Sequence, residues 1–470
     1  MKTGLIKISR FDEGLTVLKP DYYLNKGKKT ITDLIEKGVK YDSLSNLCDK
    51  IYQGGIFKRV FVESETNSFK YVTATDMMKV QPLDTAKKIS KKYTPWIEEM
   101  TLRESQFLVS CAGTVGNTAL VNKSFSGSVG SQEIIRIESE KVKNGFLYAY
   151  ISSPIIKDYI QSMIYGAVVP RISPVELGHL PILLPSQKLQ EQIHNLIIES
   201  SDLLSNANLL LKKTQKELIS QVGLKALDIE DYDCFGNHSS NRKVSAFHKN
   251  ISEISSLTIN AFNHSSRLER VKKRIKKVVH KPLGECLNET GLFSTGSFKR
   301  LEIDSSKSIK LINQSDIFNF RKKGKMLSKR YINTEKLVEY GEVLIAGVGT
   351  LGENEAFCRP VFANEELKGQ LVAGEFIRMK TNDNVPSGYL YSWLSSDYGF
   401  RLIRATQSGT KLCRPIPSLL KDIPVPILEK PVMNEIDTSV KKAHTMLYQA
   451  LSKEEEAIAL VEKEIEKWQK

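Results

Sequence analysis

Phe107-Leu108-Val109-Ser110-Cys111-Ala112-Gly113-Thr114-Val115-Gly116 and Val343-Leu344-Ile345-Ala346-Gly347-Val348-Gly349-Thr350-Leu351-Gly352 follow one pattern: a short β-prone run, then a Gly-Thr-x-Gly turn. The likeness extends in both directions. Upstream, Phe57-Lys58-Arg59 recurs as Phe298-Lys299-Arg300, and Tyr71-Val72-Thr73-Ala74-Thr75-Asp76 matches Leu311-Ile312-Asn313-Gln314-Ser315-Asp316 in type. Downstream, Glu133-Ile134-Ile135-Arg136 matches Glu375-Phe376-Ile377-Arg378, and Gly145-Phe146-Leu147-Tyr148 matches Gly388-Tyr389-Leu390-Tyr391. Gly166, Arg171, Pro174, Leu177 and Pro181 then fall in register on Gly409, Arg414, Pro417, Leu420 and Pro424. An ordered series of this kind at an offset of about 240 residues is a tandem duplication of one fold; solenoids need three or more short repeats.

Within each copy the middle is strand-rich, with short apolar runs broken by Gly, Asn and Ser. Residues 145–164 read as helical, and Pro170, Pro174, Pro181 and Pro185 then impose an extended stretch. From about 186 to 223, Ile193, Ile197, Leu204, Leu211 and Leu218 recur every four or seven residues. That is an apolar stripe on a helix reaching roughly 50 Å. The last stretch repeats it with Ile436, Val440, Ala443, Leu447 and Leu451. Pairing of the two helices, antiparallel, covers both stripes; packing of each helix on its own domain is the alternative. The polar segment 228–250 reads as a linker. The expected class is α+β. The domain limits are 1–185, a helix at 186–225, a linker at 226–250, a second domain at 251–428 and a helix at 429–470.

Composition narrows the chemistry. The 470 residues carry 68 Lys and Arg against 54 Asp and Glu, a net +14, which suits a polyanionic partner through counterion release. No run approaches the ~18 apolar residues of a membrane span, and Met1 to Lys7 lack a signal-peptide core, so a cytoplasmic protein is expected. The six cysteines form no CxxC pair and lie more than fifty residues from one another, so buried thiols are expected instead of zinc or disulfides. There is no P-loop lysine, no GxGxxG, no HExxH and no nucleophile elbow. The Gly-Thr-x-Gly turns lack the lysine and helix start of a phosphate cradle; positive φ at glycine accounts for them. No catalytic residue, metal or cofactor is assigned to this chain.

Candidate DNA contacts follow from residue type: arginine pairs bidentately with guanine, while lysine grips phosphate. Lys58, Arg59, Lys299 and Arg300 occupy matching polar segments. Lys87-Lys88-Ile89-Ser90-Lys91-Lys92-Tyr93 and Arg321-Lys322-Lys323-Gly324-Lys325 read as basic loops after the shared aspartate, Lys329-Arg330 continuing the second. Lys91, Lys92, Arg321, Lys322 and Lys323 are the candidates there. Thr114 and Thr350 sit in the glycine turns, and Arg171 and Arg414 in the proline-rich exits. A basic stretch from Arg267 to Lys281 is either a phosphate-facing strip or an exposed helix face.

The duplicated domain, its Gly-Thr-x-Gly turn and the exits Leu177 to Ile182 and Leu420 to Val425, followed by a helix containing Gln187, together resemble the type I restriction-modification specificity subunit. The resemblance covers essentially the whole chain. It implies two target-recognition domains reading the halves of a bipartite, asymmetric DNA site. It also implies an antiparallel coiled coil of spacer helices that docks two methyltransferase subunits. Restriction subunits complete such complexes, and S-adenosylmethionine, ATP and Mg chemistry belongs to the partners. One departure is Cys413-Arg414-Pro415-Ile416 where the first copy has Pro170-Arg171-Ile172-Ser173. The rival readings are a nuclease with an unrecognised site and a stand-alone DNA-binding regulator or methyltransferase decoy.

Overall fold

A computed structural model describes residues 20–62, 66–166, 168–227 and 247–470. The amino-terminal reading and most of the 228–250 linker lie outside the described residues. Two compact units emerge, one of residues 1–205 with 449–470, the other of residues 206–448. Each unit mixes helices and strands.

The first unit holds β1 (Tyr41–Ser43), β2 (Lys50–Gln53), β3 (Ser68–Val72), β4 (Lys87–Ser90), β5 (Phe107–Ser110), β6 (Thr118–Leu120), β7 (Val129–Gly130), β8 (Ile134–Glu138) and β9 (Pro181–Leu183). An antiparallel sheet runs β2-β8-β5-β6; a smaller one runs β4-β3-β7, its β3–β7 pair parallel; β1 pairs with β9. β5 is buried along its length and β8 up to its last residue, Glu138; both are largely apolar, as strands covered on both faces are, apart from the buried Arg136 on β8. The segment read as one helix at 145–164 is two, Asn144–Ser152 and Pro154–Ser162, because Pro154 has no N–H to continue the ladder and starts a new helix instead.

The second unit holds β10 (His280–Pro282), β11 (Leu287–Phe293), β12 (Ser308–Ile312), β13 (Lys325–Ser328), β14 (Val343–Ala346), β15 (Pro360–Phe362), β16 (Leu371–Val372), β17 (Phe376–Thr381), β18 (Gln407–Ser408), β19 (Arg414–Pro415) and β20 (Pro424–Pro426). Its strand orders are β11-β17-β14-β15, β13-β12-β16 and β10-β20, with a further β18-β19 pair. Apart from the β18-β19 pair, these repeat the first unit's sheets strand for strand. The glycine turns differ, however. Gly113 (φ 70°) and Gly116 (φ 87°) use left-handed backbone in the first. Gly347 and Gly349 do not, and Cys358 (φ 68°) takes that conformation instead. Close approach fixes these two glycines: a Cβ on Gly347 would meet the Glu375 carbonyl oxygen at 2.5 Å, and one on Gly349 the Phe357 Cβ at 2.9 Å. Positive φ therefore explains one copy and not both.

The proline-rich exits are built locally. Ser173 accepts from the Glu176 amide and Glu176 returns the bond to the Ser173 amide, a capping box opened by Pro174 at the first helical position. The chain then enters β9 and the long helix Gln187–Gln221. A second long helix spans Lys430–Gln469. In the first unit Ile193 and Ile197 join a core cluster with Phe146, Leu177 and Ile182 and with Ala457, Val461 and Ile465. Ser200 Oγ donates to the Ala450 carbonyl, and Lys453 pairs with Glu199. Here the apolar stripe meets the domain and the other helix together. In the second unit Leu211, Ile436, Val440 and Leu447 are buried, as is Leu451 in the first; Leu204 is half-buried.

Candidate nucleic-acid interface

In the first unit, segment 60–62 lies along the free side of β4. The Ser90 amide donates to the Val60 carbonyl at 2.9 Å, and the Val62 amide to that of Lys88 at 3.0 Å. Lys58 and Arg59 immediately precede this pairing, both exposed, and Lys91 and Lys92 leave the far end of β4, also exposed. Lys87 to Ser90, read as loop from the sequence, is thus a strand: Ile89 is buried at the pairing centre and gives it a covered face. Lys91 donates to the Thr66 carbonyl and lies over the Phe69 ring, and Lys92 lies over Tyr93.

The second unit repeats this bond for bond. The Ser328 amide donates to the Leu301 carbonyl at 2.8 Å, and that of Ile303 to Met326 at 3.0 Å. Lys299 and Arg300 precede the pairing, and Lys329-Arg330-Tyr331 follow β13 as Lys91-Lys92-Tyr93 follow β4. The Lys299 ammonium sits 4.4 Å from the Tyr331 ring centre. Matched by hydrogen bonds, the counterpart of Lys91 and Lys92 is therefore Lys329 and Arg330. Arg321, Lys322 and Lys323 precede β13. Lys322 spends its charge on Glu366 at 2.6 Å with its side chain almost wholly covered; Arg321 is half-buried and Lys323 exposed.

Two buried arginines hold these segments to their sheets. Arg378 on β17 donates from Nε and Nη2 to the Glu342 carboxylate, both at 2.8 Å, and to the carbonyls of Lys336 and Leu337 at 2.7 and 2.8 Å. Its Nη1 also reaches Thr295 Oγ1. It thereby ties down chain on either side of the Lys299 and Tyr331 segments. Arg136 on β8 is as deeply buried but donates to three carbonyls, of Ile134, Met100 and Gly130. Gln106 stands where the second unit has Glu342, and turns instead to Tyr52 and Glu138. Burial draws the Arg136 guanidinium below its ordinary range, with Tyr52 and Cys111 opposing. The shared aspartate closes the turn after β3. Burial disfavours the charge on Asp76, yet Lys79 and the hydroxyls of Thr73 and Thr85 outweigh it and hold the carboxyl below its usual range.

Thr114 and Thr350 are exposed, beside the exposed Arg171 and Arg414. The Gly113 amide donates to Pro170, and Gly349 and Cys413 exchange amide bonds, so each glycine turn is stitched to the hairpin carrying the arginine. A cleft of about 460 Å³ opens beside Thr114 and Pro170. These residues form a second cluster in each unit, distinct from the Lys-Arg and Tyr group. On the helix Ser266–Ile275, Leu268, Val271 and Ile275 are buried and the lysines and arginines cover the other side. Tyr93, Tyr331 and the exposed Trp96 and Ile56 escaped the sequence reading. Aligning Ile89-Ser90-Lys91-Lys92-Tyr93 on Leu327-Ser328-Lys329-Arg330-Tyr331 is the signal that finds the tyrosines.

Among the described residues no group of three or more His, Cys, Asp or Glu could hold a metal, and no helix is long and apolar enough to cross a membrane. The five described cysteines are buried and unbonded; burial pushes Cys48 up to about 12 and Cys111 and Cys286 to about 11.

Residues 36–220 match the model of the type I restriction modification DNA specificity domain. No curated protein matches the chain. Among solved structures, the type I restriction-modification system S subunit from M. genitalium is similar at 14% identity, covering 92% of this chain and 95% of that one, with a TM-score of 0.33. The HsdS subunit from Thermoanaerobacter tengcongensis is similar at 13% identity, covering 91% and 96%, with a TM-score of 0.26. A third, from a study of complex assembly and conformational transition of the type I R-M system, stands at 14% identity, 91% and 97% coverage and a TM-score of 0.27.

Proposed function

We propose that the chain, whose residues 36–220 match the model of the type I restriction modification DNA specificity domain, is the DNA-reading subunit of such a system and recognises a bipartite, asymmetric duplex target. The observation that carries this reading is the duplicated constellation of an exposed Lys-Arg pair and a Lys-Lys/Arg-Tyr segment on the same strand pairing in both units. Cations of this kind grip phosphate, and arginines and loop side chains reach base edges. Lys58, Arg59, Lys91 and Lys92 serve one half-site; Lys299, Arg300, Lys329 and Arg330 serve the other. Thr114 with Arg171 and Thr350 with Arg414 add backbone contacts. Arg321 and Lys323 flank the second face, and Lys322 is left to its ion pair.

Residues 1–185 and 251–428 are the two target-recognition domains, 226–250 their linker, and 186–225 and 429–470 the spacer helices. The helices pair antiparallel along Ile193, Ile197, Leu204, Leu211, Ile436, Val440, Leu447 and Leu451, set the separation of the half-sites and dock two methyltransferase subunits. Restriction subunits join that assembly in the cytoplasm. Adenine methylation with S-adenosylmethionine, and ATP- and Mg-dependent translocation and cleavage, take place on those partners.

The test is co-expression with a methyltransferase subunit and genome-wide mapping of methylated adenine. A bipartite motif is expected. Replacing residues 20–180 with the equivalent domain of another such subunit changes one half of that motif only. An unchanged motif, or none, overturns the reading; DNA cleavage by the purified chain with Mg alone favours a nuclease.

A further inference from the structure

Trp96 is one of three residues other than glycine with positive φ among the described residues, at φ 50° and ψ 38°. A bulky residue in left-handed backbone is strained and persists where the surroundings enforce it. Its side chain is nevertheless 51% exposed, so burial does not compensate the strain. The neighbouring chain is shaped around it. A Cβ on Gly55 would meet the indole at 2.7 Å, so glycine leaves the room the ring occupies. Phe57 meets the ring edge-on with centroids 6.4 Å apart, and Ile56, between Gly55 and Phe57 in the sequence, is 76% exposed. Phe57 in turn packs on the small core of Tyr71, Ile89, Met100 and Val129, so the cluster has a rigid base.

The result is an exposed indole packed on Gly55 and Phe57, the residues that flank exposed Ile56 and run straight into Lys58 and Arg59. Glu98 and Glu99 follow on the helix Ile97–Met100, and Arg103 donates to the Glu98 carbonyl, so the face is not uniformly cationic. The second unit has the same tyrosine but continues from Tyr331 into Ile332-Asn333-Thr334, with no tryptophan at the corresponding place. What is shared serves both halves alike; what differs can tell them apart. Large apolar side chains beside a cationic strip do not grip phosphate. In the major groove, the apolar group a base presents is the thymine methyl.

We propose that Trp96, seated on Gly55 next to the exposed Ile56 in the chain, is a specificity-determining residue of the first unit that makes apolar contact with a thymine methyl group of the bound duplex. The proposal rests on the DNA-reading function above. It assigns Trp96 to base readout and leaves phosphate contact to the lysines.

The experiment uses the chain co-expressed with its methyltransferase partner, with methylated adenines mapped genome-wide for wild type, Trp96→Ala, Trp96→Phe and Ile56→Ala. Trp96→Ala is expected to relax one A·T position of a single half-site by roughly ten-fold and leave the other half-site intact. Trp96→Phe retains part of the preference. Ile56 is exposed enough that Ile56→Ala keeps the fold, and it weakens the same position. Binding by the purified complex then distinguishes the contact. Replacing that thymine with deoxyuridine, which lacks the methyl, weakens wild type several-fold and Trp96→Ala not at all, while the salt dependence of the two stays equal. A motif unchanged in both Trp96→Ala and Ile56→Ala, or equal deoxyuridine effects in wild type and Trp96→Ala, overturns the proposal while the DNA-reading function stands. Absence of any motif in wild type overturns both.

Discussion

Removing the carboxylate beside Arg378 should uncouple the second unit's basic segments from their sheet. Arg378 and Glu342 are each about 1% exposed and share two bonds of 2.8 Å. Charge-assisted bonds contribute about 1.5–3 kcal/mol apiece, and breaking a buried pair from one side costs about 3–5 kcal/mol, because the remaining charge stays desolvated. Glu342→Leu is therefore expected to destabilise the second unit by about 3–5 kcal/mol. Glu342→Gln, which keeps one acceptor, is expected to cost about half of that. Glu342→Leu with Arg378→Met should recover most of the loss, since an apolar pair carries no unpaired charge. Trp393 is buried in the second unit, so denaturant unfolding followed by fluorescence with Trp96 and Trp468 replaced by Phe reports that unit. A loss below about 1 kcal/mol for Glu342→Leu, or a double variant no better than the single, refutes the argument. Because Arg378 also holds Lys336, Leu337 and Thr295, the same variant should blur the base preference of the second half-site.

His444 is buried against Phe362 and Tyr391, and burial, reinforced by Lys322, lowers it from 6.5 to about 3. A depressed histidine favours folding above its unfolded value, so its contribution is lost as pH falls from 6.5 toward 3, by up to about 1.4 kcal/mol per pH unit. His444→Phe should flatten that part of the wild-type unfolding profile, and identical slopes would count against it. Gly388→Ala places a Cβ 2.8 Å from Asp437 Oδ1 and 3.0 Å from the Asp437 carbonyl, and should destabilise the second unit by about 1–3 kcal/mol in the same unfolding assay. Lys58→Ala and Lys299→Ala should each lower the slope of log affinity against log salt by about one, with base preference unchanged, as measured by titration of the complex at several salt concentrations.

The duplication was legible because the buried strands repeat their pattern: Phe107 to Ser110 and Val343 to Ala346 are both three apolar residues and a small one, and must both fill a covered sheet. The long helices were legible from the spacing of Ile193, Ile197, Ile436 and Val440. The interface was legible as charge and not as position. Lys87 to Ser90 carry a strand whose two lysines, one exposed and one half-buried, mask its single buried isoleucine, and Lys322 looks like its neighbours although Glu366, distant in sequence, neutralises it. Trp96 was invisible for a similar reason. Its backbone conformation and its seat on Gly55 join positions some forty residues apart, and periodicity does not register such a pairing.

β4 and β13 each stand at the margin of a three-stranded sheet, where unpaired amides ordinarily invite another chain to add itself. Segments 60–62 and 301–303 occupy that margin, so the stretches that carry the cations also act as edge guards. Altering sequence preference by cutting or lengthening these stretches would then strip the guard. Insoluble protein, and not a new target, would be the usual fate of careless redesign there.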